Sequence, residues 1–131
     1  GYFNNGNVYI NNELLVNTTS GATGYDVSVD GKIICEEVKV QDSGSWPDYV
    51  FSPEYDLPTL KEVEHMINTE NHLPGVPDAN EVEANGIMLG QMQKVMMEKI
   101  EEVMLYTIQQ QKEIDQLKQQ NKELIDQLDK K

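Results

Sequence analysis

From Gln91 to Lys131 the chain contains neither Pro nor Gly, and good helix formers fill the stretch. Residues 87–129 therefore read as one helix, on the order of 60 Å long at 1.5 Å per residue. The rest of the chain is too small to bury such a helix, so much of it must pack on other copies. With Ile100 set at a, the a and d positions run Ile100, Val103, Thr107, Gln110, Ile114, Leu117, Asn121, Leu124 and Leu128. Extended backwards, the same register takes in Met96, Gln93 and Leu89. Aliphatic side chains hold six of the nine forward positions, the repeat of a coiled coil. Thr107, Gln110 and Asn121 make polar layers, which weaken a seam but fix its register and oligomer state.

Glu113 at g and Lys118 at the next e have the offset of an interchain ion pair in a parallel coil. Such a pair contributes little energy but favours parallel alignment. The competing reading, one amphipathic helix lying on a monomeric core, fits poorly. Residues 109–131 are polar around most of the helix circumference. Ile114 at a with Leu117 at d leans towards a dimer, whereas Gln and Thr layers suit the roomier centre of a trimer. The heptads alone leave the number open.

Composition points the same way. The chain has 131 residues, 38% of them hydrophobic, and nine glycines. A chain this poor in large apolar side chains is marginal as an isolated globule and gains by burying surface against itself. Residues 1–97 carry fifteen Asp and Glu against four Lys, while residues 98–131 carry eight against six. The net charge is −13 and there is no Arg. Nucleic-acid binding calls for a basic stripe, with Arg its preferred base reader, so neither a nucleic acid nor an anionic membrane is an expected partner. No segment approaches the ~20 apolar residues of a membrane helix. The chain starts with Gly, which suggests a fragment of a longer protein whose export signals lie elsewhere.

Ahead of the helix, residues 1–40 read as β. Val8-Tyr9-Ile10, Leu14-Leu15-Val16 and Tyr25-Asp26-Val27-Ser28-Val29 are short runs separated by turn residues. Asp30-Gly31 predicts a two-residue hairpin, with residues 33–40 as the return strand. Strands this short cannot make a stable sheet in one chain. Residues 41–86 read as irregular with one short helix. Thr59 is its predicted N-cap and Glu62 closes a capping box, with Leu60, Val63 and Ile67 on one face and an end near Asn71. Asp78 is placed to cap a further short turn through Val82. The aromatic group Trp46, Tyr49 and Phe51 reads as a satellite core.

Chemistry is sparse. Cys35 is the only cysteine, which excludes an intrachain disulfide and a zinc site of paired thiolates. In Ile33-Ile34-Cys35 it reads as a buried structural thiol. His65 and His72 lack the i, i+4 spacing of a helical metal pair, and His72 reads as a loop residue bonding to backbone. The acidic pairs Glu36-Glu37, Glu62/Glu64 and Glu81/Glu83 read as solvated surface. Ser43 and Ser45, in Asp42-Ser43-Gly44-Ser45, have no base near them in sequence. No catalytic, cofactor or metal residue is assigned, and the expectation is a non-enzyme.

The order of motifs adds a family resemblance. Residues 25–33 (Tyr-Asp-Val-Ser-Val-Asp-Gly-Lys-Ile), 46–51 (Trp-Pro-Asp-Tyr-Val-Phe), 72–77 (His-Leu-Pro-Gly-Val-Pro) and 86–92 (Gly-Ile-Met-Leu-Gly-Gln-Met) lead into a helix with Lys99-Ile100-Glu101-Glu102. Over roughly residues 24–115 this resembles the C-terminal module of tail-fibre-like proteins of Bacteroidetes and their phages, related to the endosialidase-type intramolecular chaperone domains. The resemblance implies a homotrimer: a β-stalk segment at 1–40, a compact chaperone-like region at 41–86 and a coiled-coil helix at 87–131. It implies an extracellular setting on a virion or cell-surface fibre or adhesin. A host-surface receptor would then be reached through the longer parent fibre. Many members of that family cut themselves at a Ser-Asp dyad followed by Arg and Lys. Here Asp42-Ser43 reverses the order and Arg is absent, so no catalytic residue carries over. The expected fold is thus α+β with a parallel, trimeric coiled coil, and the expected role is trimerisation and folding assistance. The alternatives are a self-cleaving peptidase with a degenerate dyad and a receptor-binding tip built on Trp46 and Phe51.

Overall fold

The computed structural model describes residue 10, residues 12–41 and residues 46–130. The fold is α+β with a long C-terminal helix. The chain divides into two units, Gly1–Lys39 and Val40–Lys131.

In the first unit, strands β1 (Leu14–Val16) and β2 (Val27–Val29) pair in parallel, Leu14 opposite Val27 and Val16 opposite Val29. Leu14 N donates to Asp26 O at 2.7 Å, and Asp30 N donates to Val16 O at 2.9 Å. The expected hairpin at Asp30-Gly31 does not form. A type I′ turn needs positive φ at both residues, and Asp30 does not adopt it. Asp30 instead continues the β1 ladder, and residues 33–40 run on without strand structure. That also corrects the reading of Cys35, whose thiol is exposed beside a fully exposed Ile34. Residues Val8 and Tyr9 of the first expected strand lie outside the described residues, as do residues 42–45 with Ser43.

The second unit opens with a 3-10 helix, Pro47–Phe51, whose first position suits the fixed φ of Pro. It packs on the long helix, and its Pro47 and Val50 are fully buried. Burial of a valine is worth about 2 kcal/mol. The aromatic side chains expected to form a core do not. Trp46 and Phe51 stay more than half exposed, because the small aliphatic residues between them take the inner positions.

Helix α1 (Leu60–Glu70) starts where Thr59 and Glu62 predict. Glu62 N donates to Thr59 Oγ1 at 3.2 Å and Thr59 N donates to Glu62 Oε2 at 2.7 Å, closing the capping box. It stops at Asn71, which adopts the left-handed conformation (φ 61°) that Asn tolerates. Helix α2 (Ala79–Asn85) is capped by Asp78, whose Oδ1 accepts from Glu81 N at 2.8 Å. Helix α3 (Leu89–Leu128) then runs 40 residues unbroken. Along its far half, amide donors reach carboxylates one turn on: Gln109 to Glu113, Gln111 to Asp115 and Gln119 to Glu123, at 2.7 to 3.1 Å. Each such pair adds roughly 0.2–0.5 kcal/mol.

Candidate self-association surface on the long helix

At 3.6 residues per turn, α3 divides into faces about 100° apart per residue. One face is occupied within its own chain. Tyr55 donates to Glu102 Oε1 at 2.5 Å, and Lys99 Nζ donates to the same oxygen at 2.8 Å. Tyr49 donates to Glu98, which also pairs with Lys99 at 3.0 Å. Tyr106 donates to the Pro58 carbonyl at 2.5 Å. The Tyr49 and Tyr55 rings lie 5.9 Å apart, tilted by 43° to each other. Together these contacts clip residues 49–58 onto the segment of α3 from Glu98 to Tyr106. Glu102 is only 5% exposed, and two donors satisfy the oxygen it presents.

The clip shifts its own titrations. The hydrogen bond to Glu98, then burial, then nearby carboxylate charges push the Tyr49 phenol up to about 12. Burial, followed by the bond to Glu102, raises Tyr55 further. Burial, then the Glu102 charge, also raises Tyr106. Burial pushes Glu98 up, but the Tyr49 and Lys99 hydrogen bonds outweigh it and hold that carboxyl below its ordinary range. A phenol raised on folding contributes stability below its unfolded value near 10, lost as pH climbs through the folded value. A carboxyl lowered on folding contributes above about 4.5, lost as pH falls. The clip should therefore open between pH 10 and about 12 on the alkaline side. A spectrophotometric titration should show a late phenolate phase. Completion of the tyrosine titration without one would mean that the clip is open in solution.

The heptad residues lie on a different face. Ile100, Val103, Ile114, Leu117, Leu124 and Leu128 are 45 to 70% exposed. Thr107, Gln110 and Asn121 on the same stripe are exposed too, and Thr107 Oγ1 donates back to Val103 O at 2.8 Å. Ile100 stands well round the helix from Glu102 and Tyr106, and Val103, though only one turn from Tyr106, is still 60% exposed, so the clip leaves the stripe free. A second apolar strip, Met104 and Ile108, is about half exposed. Neither it nor the clip was expected from the sequence. The clip joins residues 47 to 49 apart. Its one local trace is the i, i+4 pair Glu98 and Glu102.

Elsewhere the unit offers little chemistry. His72 Nδ1 donates to Leu73 O at 3.0 Å, the backbone role expected of it. Among the described residues, no group of three or more His, Cys, Asp or Glu is arranged to hold a metal, and no helix is long and apolar enough to cross a membrane. Compared with protein families, with characterised proteins and with solved structures, the chain matches none.

Proposed function

We propose that this chain is a non-enzymatic trimerisation and folding-assistance module at the C-terminal end of a tail-fibre-like or surface fibre. The observation that carries the reading is the uncovered heptad stripe along the 40-residue α3. Val50 and Pro47 are the fully buried apolar side chains among the described residues, far too little to hold a helix of this length in place. Parallel alignment is supported by Glu113 and Lys118, and three chains rather than two by the Thr107 and Gln110 layers together with the family resemblance. The fibre setting, outside the cell, rests on that resemblance.

The mechanism is entropic. Strand pairing between chains is slow, because loop closure and association are unfavourable before distant contacts form. A coiled coil zips from local contacts and then holds three β segments at high effective concentration. Strands as short and exposed as β1 and β2 need that help. Light scattering after size exclusion should give a mass about three times 14.9 kDa. A monomer at micromolar protein would overturn the reading.

A further inference from the structure

Among the described residues, two apolar surfaces of the second unit are left largely open. Helix α1 carries Leu60, Val63 and Ile67 on one face, yet none of its residues is buried, and Leu60 and Ile67 are 47% and 42% exposed. An eleven-residue helix is marginal in water even when well capped. The other surface is Met104 and Ile108 on α3, 52% and 45% exposed. The same chain cannot join them. Pro58, next to the cap of α1, is held at Tyr106, and Met104 and Ile108 straddle the point diametrically opposite Tyr106.

A neighbouring copy can join them. In a parallel coil a g residue stands beside the e residue five positions on in the next helix. In the register set by Ile100, Lys99 is g and Met104 is e. The clipped flank of one helix thus faces the Met104 flank of the next. The heights agree as well, because Pro58, Leu60, Tyr106 and Glu113 line one cleft, which sets the start of α1 level with residues 106–113. We propose that α1 of one copy packs, through Leu60, Val63 and Ile67, on Met104 and Ile108 of α3 in the neighbouring copy. The contact joins two different patches, so it repeats head to tail and closes as a ring of three. It rests on the coiled-coil reading above and adds an outer belt to the inner seam.

Disulfide trapping tests it. In a Cys35→Ser background, Ile67→Cys is combined with Met104→Cys, and separately Leu60→Cys with Ile108→Cys, as pairs that need close Cα approach. On mild oxidation at least one double variant should run as covalent dimers and trimers on a denaturing gel. Each single variant should stay monomeric, since two copies of one off-axis residue do not face each other in a ring. Trimer mass with monomer bands alone in both double variants, or a disulfide mapped within one chain, would overturn the belt and leave the seam standing. A monomeric mass before oxidation would overturn both.

Discussion

Replacing Ile114 and Leu117 together by Asp should leave the protein monomeric, with β1 and β2 unprotected against amide exchange. Both side chains are about half exposed in the single chain, so little is lost within it. In the assembled seam they would be adjacent a and d layers. Losing the burial that assembly adds removes on the order of 2–3 kcal/mol per chain, and three chains share the seam. That corresponds to a roughly thousand-fold or greater loss in association. Carboxylates crowded at the axis add a desolvation penalty. The readouts are mass by light scattering and hydrogen exchange across residues 14–29. An unchanged mass would mean that the stripe is not the seam.

The second large effect should come from Lys99→Met. This change takes away the cation 2.8 Å from Glu102, whose side chain is 6% exposed, and leaves Tyr55 as its sole donor there. Removing one partner of a buried pair leaves the other charge uncompensated. With Tyr55 still in place, the expected loss is about 2–3 kcal/mol in urea unfolding. Adding Glu102→Leu should recover part of it, because it removes the uncompensated charge, while the Tyr55 hydroxyl loses its acceptor. A Lys99→Met protein as stable as the parent would show that water already reaches Glu102 and that the clip is loose.

Much of the helical architecture was legible, and for local reasons. Thr59 and Glu62 mark the start of α1 because a capping box is written in four consecutive residues, and the stretch free of Pro and Gly marks α3 in the same way. What misled were features that depend on distant partners. Asp30-Gly31 carries a turn signature, but Asp30 bonds instead to Val16, fourteen positions back. Cys35 sits in an apolar run that stays exposed among the described residues of its unit. Trp46 and Phe51 are the natural candidates for a core, yet Pro47 and Val50 are the ones that face inward. The tyrosine clip depends on side chains meeting across nearly fifty residues, and no periodicity records that.

The amide–carboxylate pairs along the far half of α3 have a consequence for where such a rod can work. Helical surfaces are commonly laced by Lys–Glu pairs, and those loosen as ionic strength rises. Here Gln109, Gln111 and Gln119 supply the donors instead, and a neutral amide has no charge for counterions to screen. These three contacts are thereby held nearly alike in dilute buffer and in brine, whereas an ion pair such as Glu113 with Lys118 would loosen as salt rises.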